Sequence, residues 1–245
     1  MNSDFSHPNN PVLTWICILA GIALYFIYYY LQDILYRKNL AFSDDASLLS
    51  HTRSVRTGKF MGVFFLGIVP VILLHTFFEI PYTILANAYS ADGDALIRSM
   101  LWLVVLTPLI LLITYTGSKR DFLRSRYPEI RIHQWSRILL ARYLLWWLLY
   151  LVAYEFYFRF VFFYMLIEPF GVFGAIAFNT VLYCLAHAPK GRVETIGALP
   201  LGLALCAATY DTGSILTAGI AHVIVSFSTV LFCFYHNADM RLTKT

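Results

Sequence analysis

Three pairs of polar residues sit inside otherwise apolar stretches of this chain, and each pair is spaced four apart. Glu155 and Arg159 lie in the run Ala153–Phe163. Tyr183 and His187 close the run Phe178–His187. His222 and Ser226 lie in the run Ile215–Phe234. Residues four apart share one face of a helix, so each run presents its polar pair on one side. Ionisable side chains at membrane depth are costly and usually face the protein interior. The three pairs are therefore expected to converge on one buried site.

A carboxylate and two imidazoles are the groups that activate water by general-base catalysis. Glu155 has two readings. It is either one half of a structural ion pair with Arg159, or a base that Arg159 orients. His187 precedes Ala188-Pro189-Lys190 at a helix end, where a structural hydrogen bond would also account for it. His222 lies mid-helix among Ile220, Val223 and Ile224, and burying it without a partner would be costly.

Glu194 is a secondary candidate, although its spacing from Lys190 also suits a solvent ion pair. His75 and Glu79 form one further pair, read as structural. His7, His51, His133 and His236 fall in polar segments and are incidental. A Glu and two His could ligate a divalent metal such as zinc. Neither HExxH nor CxxC occurs, so water activation without a cofactor is the first reading and a metal the second. No nucleophile elbow or Gly-rich phosphate loop is present. Cys17, Cys184, Cys206 and Cys233 all sit in apolar runs and read as small core residues.

The elements that must position these groups are membrane helices. The chain has 245 residues, of which 59% are hydrophobic and 13% charged, and its mean hydropathy is +0.66. Soluble domains carry about 25% charged residues, so this composition predicts an all-α, multi-pass transmembrane bundle. Apolar runs of about 20 residues suffice to span. The runs are Val12–Leu31, Phe60–Ile80, Ile97–Tyr115, Ile138–Ile167, Val172–His187, Thr195–Thr209 and Ile215–Tyr235. That gives seven spans, or eight if the long Ile138–Ile167 run divides near Ala153. Glu168-Pro169-Phe170-Gly171 and Asp211-Thr212-Gly213-Ser214 read as turns.

The N-terminus lacks the basic start of a secretory signal. Basic residues gather in polar loops, with Arg37, Lys38, Arg53, Arg56 and Lys59 in one and Lys119 to Arg137 in the next. The positive-inside rule then puts the N-terminus outside and residues 236–245 in the cytoplasm as a short tail. The loops are read as solvated faces. A net charge of +4, confined to loops, argues against nucleic-acid binding.

Taken in order, Tyr154-Glu155-Phe156-Tyr157-Phe158-Arg159, Tyr183-Cys184-Leu185-Ala186-His187 and His222-Val223-Ile224-Val225-Ser226 resemble the three motifs of the CPBP intramembrane proteases. That family includes the type II CAAX prenyl endopeptidases and the bacterial Abi proteins. Its pattern is EExxxR, FxxxH, then HxxxN or HxxxD. Here Tyr154 stands for the first Glu, Tyr183 for Phe, and Ser226 for Asn or Asp.

The resemblance implies a protease core over 150–235, preceded by N-terminal helices and basic loops over 1–149. It implies hydrolysis of a membrane-associated protein or peptide within the lipid bilayer of a bacterial plasma membrane. Glu155 and His187 would activate water, His222 and Ser226 would stabilise the oxyanion, and Arg159 would hold Glu155. Tyr154 and Ser226 leave room for a rival reading, a degenerate scaffold or immunity-type protein. A transporter using a His/Glu proton relay is a third reading, without the internal repeat expected of many transporters.

Overall fold

The computed structural model describes residues 11–37, 48–81 and 87–243. The expectations for the first ten residues, for Lys38, for 82–86, for Lys244 and for the side chain of Cys17 lie outside the described residues. The architecture is all-α. Its helices are α1 (Pro11–Arg37), α2 (Leu48–Val63), α3 (Val69–Phe78), α4 (Gly93–Ser118), α5 (Asp121–Arg124), α6 (Arg137–Glu155), α7 (Phe163–His187), α8 (Arg192–Thr212) and α9 (Leu216–His236). Five described helical stretches are long and apolar enough to cross a membrane, and Ile18–Leu31 is a shorter apolar helix. Large apolar side chains such as Val104, Leu112 and Phe173 point outward, as expected of a surface that faces lipid.

The long apolar run does not divide at Ala153. Helix α6 continues into a π-helical segment, Phe156–Phe162, and from there into α7. The reversal comes at Gly171, whose φ of 65° and ψ of 174° form a conformation that glycine alone adopts without penalty. Pro169 lies two residues earlier. The second leg of α7 folds back along the π segment, so Asn179 bonds to Phe158 and Tyr183 packs on Tyr154.

The segment carrying Arg53, Arg56 and Lys59, read from sequence as loop, is helix. His51, Val55, Lys59, Gly62 and Leu66 are buried at intervals of three to four, while Arg53 and Arg56 face out. The period is that of an amphipathic helix, which low average hydropathy conceals. Two further readings are corrected here: Lys59 and His51 are buried, not solvated or incidental. Lys59 Nζ lies 3.0 Å from Glu129 Oε2 and 3.4 Å above the Trp147 ring centre. The cation is paired and covered by an aromatic face, which is what burying it requires.

Helices α2 and α6 run parallel and close together. Lys59 meets Trp147, Gly62 meets Tyr150, and Gly67 meets Ala153. A Cβ on Gly62 would lie 2.4 Å from Tyr150, so a side chain there would force the helices apart.

Helix α4 starts at Asp92, whose carboxylate accepts from Ala95 N at 2.7 Å, as an N-cap does. It packs on α8 and α9 through Ile110, Leu205, Ala218 and Ala221, where the alanines allow close approach. The tail folds back: Arg241–Leu242 pairs in parallel with Gln134–Trp135. His236, read as incidental, contacts the Ser118 hydroxyl at 2.8 Å.

Candidate active site

The π-helical segment, both legs of α7, and helices α8 and α9 place the polar residues. Glu155 ends α6 and is fully buried, as is Arg159. Arg159 Nε donates to Glu155 Oε2 at 3.1 Å. The other carboxylate oxygen, Oε1, receives His222 Nδ1 from α9 in a short contact. Glu155 thus accepts at both oxygens, as an ionised carboxylate does.

Arg159 is held in turn by two residues that were not singled out from the sequence. Its Nη1 donates to Asn179 Oδ1 at 2.5 Å and lies 2.9 Å from Cys206 Sγ. Asn179 Nδ2 donates to the Phe158 carbonyl at 2.7 Å, and Cys206 Sγ lies 3.2 Å from Asn179 Oδ1. Cys206 is therefore part of this network and not only a small core residue. A signal for Asn179 was present: it lies four residues before Tyr183 and eight before His187, on the same helical face. Cys206 carried no such signal.

His187 belongs to the site without touching its carboxylate. Its Nδ1 bonds the Tyr183 carbonyl at 2.8 Å, which fixes Nδ1 as donor and leaves Nε2 as the basic nitrogen. Its ring lies 4.6 Å from the Tyr183 ring, and Tyr183 lies 6.0 Å from the ring of His222. Tyr183 is thus an aromatic spacer between the two imidazoles. The Tyr25 hydroxyl contacts the Ala186 carbonyl at 3.4 Å beside His187.

Tyr154 stacks on Phe158 at 4.5 Å and meets His222 edge-on at 5.4 Å. Its hydroxyl is buried without a hydrogen-bond partner among the described residues, and so is Arg159 Nη2. Ser226 lies one turn beyond His222, partly buried, and makes no side-chain hydrogen bond among the described residues. Glu194 does not join the cluster. Its Oε2 accepts from the Tyr127 hydroxyl at 3.1 Å, while Lys190 lies 5.9 Å from the Trp147 ring, so their expected ion pair does not form. His75 Nδ1 contacts the Ile80 carbonyl at 3.0 Å and serves the end of α3.

The Glu155 carboxylate is poorly placed to hold a zinc ion, since both its oxygens are engaged and three or four protein ligands are needed. No group of three or more His, Cys, Asp or Glu able to hold an ion occurs among the described residues.

The stretch that carries these groups is similar to a known family. Residues 136–228 match the family model described as type II CAAX prenyl endopeptidase, Rce1-like. Over those residues the chain is similar to that family. The matched stretch takes in α6, the π segment, α7, α8 and most of α9, so every residue of the Glu155 cluster falls inside it. It leaves α1 to α5 outside. No curated protein and no solved structure matches the chain. Family and apolar helices together make it an integral membrane protein.

Proposed function

We propose that this protein is an intramembrane endopeptidase that hydrolyses a peptide bond of a membrane-associated protein or peptide, in a bacterial plasma membrane. The observation that carries this reading is the contact between His222 Nδ1 and Glu155 Oε1, with Arg159 fixed on the other carboxylate oxygen. A carboxylate on one imidazole nitrogen sets the tautomer, so Nε2 is left as the base. In this reading His222 takes a proton from water while the water oxygen bonds to the scissile carbonyl carbon. Glu155 stabilises the imidazolium that forms. Breakdown of the tetrahedral intermediate breaks the C–N bond, and the same proton passes to the leaving amine.

The roles differ from those the resemblance implies: His222 moves from the oxyanion to the base, and Arg159 joins Ser226 at the oxyanion. Glu155 has both oxygens engaged and acts through His222, where the pattern would have it meet water directly. His187, with Nε2 free, flanks the water from the other side of Tyr183. Ser226 and the unspent donor Arg159 Nη2 are the groups that could receive the oxyanion, and such donors are often the largest single contribution to rate.

The test is cleavage of membrane peptides by protein reconstituted in vesicles, with Glu155→Gln and His222→Ala. Loss of at least a hundredfold in kcat for both supports the reading. Wild-type rates in either variant would remove that residue from it.

A second reading rests on Tyr154. An aromatic ring stands where the family has its first Glu, and Glu155 is sealed from solvent. Both features suit a non-catalytic relative that binds a membrane partner. Capture of one defined partner by wild type and by Glu155→Gln alike, with no cleavage of any membrane substrate, would favour it.

A further inference from the structure

A second concave site lies away from the Glu155 cluster, on the outer face of the α2/α6 pair. It is a cavity of about 770 Å³ lined by Arg56, Phe60, Met61 and Phe64 of α2 and its extension, and by Arg142 and Trp146 of α6. The two helices are parallel, so their residues descend together. Arg56, Phe60 and Phe64 succeed one another at single-turn intervals, as do Arg142 and Trp146. The drop from Arg56 to Phe64 is about 12 Å at the helical rise.

Both arginines therefore sit at one end of the groove and the apolar side chains at the other. The arginine end is the basic end of the bundle, since Glu129 of the 119–136 loop pairs with Lys59 one turn below Arg56. Arg56 and Arg142 are exposed, and among the described residues neither has an acidic partner. Phe60 and Phe64 are 46% and 49% exposed, open toward the hydrocarbon layer.

We infer that this groove binds an anionic phospholipid of the surrounding bilayer. Two guanidinium groups at interfacial depth can share one phosphate through charge-assisted hydrogen bonds. Below them, Phe60, Met61, Phe64 and Trp146 offer one acyl chain an apolar wall that runs inward from the surface. Charge at the surface and apolarity beneath it is the polarity of a lipid, and anionic lipids favour juxtamembrane basic groups. A zwitterionic lipid carries the same phosphate but brings a cation of its own beside it, so the two guanidinium groups favour the lipid with net negative charge. The inference stands whether or not this chain cleaves peptides.

Trp146 reports on the groove directly. Full-length protein would be reconstituted in vesicles containing either brominated phosphatidylglycerol or brominated phosphatidylcholine. The quenching specific to Trp146 is the difference between wild type and Trp146→Phe. The expected result is half-quenching by the anionic lipid at about a tenfold lower mole fraction than by the neutral one. The double variant Arg56→Gln/Arg142→Gln should lose that preference. Continued quenching by the neutral lipid shows that the double variant is folded and inserted. Equal quenching by the two lipids in wild type overturns the inference, as does an unchanged preference in the double variant. Displacement of the anionic lipid from Trp146 by an acidic membrane peptide at equal mole fraction would assign the groove to a protein partner and also overturn it.

Discussion

Arg159 and Asn179 meet across the helical hairpin that turns at Gly171, with Nη1 and Oδ1 2.5 Å apart. Asn179 spends its amide nitrogen on the Phe158 carbonyl in the same turn. One buried side chain thus ties the returning leg of α7 to both the charge and the backbone of the π segment. Asn179→Leu should remove two buried hydrogen bonds and lower stability by about 0.5–1.5 kcal/mol for the carbonyl bond and about 1.5–3 kcal/mol for the bond to the guanidinium, with Phe163 N still on the Phe158 carbonyl and Cys206 Sγ still beside Arg159. Asn179→Asp keeps the acceptor for Arg159 and should lose less. Thermal unfolding in detergent would measure both, and equal stabilities would mean that the Arg159 contact contributes nothing.

The Glu155 and Arg159 charges balance each other inside the bundle. Arg159→Met strands the carboxylate and should cost about 3–5 kcal/mol. Glu155→Gln keeps the side-chain shape and should cost less, though Arg159 then lacks its counter-charge. The double variant Glu155→Gln/Arg159→Met removes both charges and should recover much of that loss, while cleavage stays absent. If the two losses simply add in a denaturation cycle, the residues are not coupled.

The buried Tyr154 hydroxyl has no hydrogen-bond partner among the described residues. Tyr154→Phe should therefore leave stability unchanged or raise it by up to about 1 kcal/mol, with cleavage within about twofold of wild type. Tyr154→Glu would bury a second carboxylate beside Glu155 without a second cation, and should lower both stability and rate. A gain in cleavage with Tyr154→Glu would mean a protease whose first acid has been lost.

Loop positions should sort by side. Gly191 packs against Phe122 and Arg126, and Lys190 lies toward Trp147, so cysteines placed at Arg120 and Arg192 should label from the same, cytoplasmic face. A cysteine at Asp92 should label from the other. Labelling of Arg120→Cys and Arg192→Cys from opposite faces would refute this topology.

Much of this arrangement was legible because membrane helices write their length and their polar faces plainly. Glu155, Arg159 and His222 stood out as costly residues in apolar runs, and the structure joins them. What stayed hidden has physical causes. Asn179 shares the helical face of Tyr183 and His187, but its contact with Arg159 crosses the hairpin, as that of Cys206 crosses from α8, and no periodicity reports which partner such a face meets. His187 shares the expected face, but an intervening aromatic ring, Tyr183, keeps it from the carboxylate. Helix α2 was obscured because its buried face includes His51 and Lys59, which are polar by type and become core only through Glu129 and Trp147. The Ala153 alternative fell because nothing at that position stops a helix, whereas Gly171 and Pro169 do.

The π-helical segment, Phe156–Phe162, also governs which changes the chain can tolerate. A π turn holds one residue more than the α-helix would need, and such bulges tend to occur at functional sites. Loss of that extra residue would let the stretch wind as ordinary α-helix with little change of facing, whereas removing one residue between Gly171 and Asn179, where the helix is already α, would rotate everything after it by about 100°. The whole returning leg, with Asn179 and His187 aboard, would swing away from Arg159 and His222. Any of the phenylalanines could be exchanged for another large apolar residue at modest loss. The reading frame of the returning leg is therefore under tighter constraint than that of the π segment, which carries the one residue the helix could lose and keep its course.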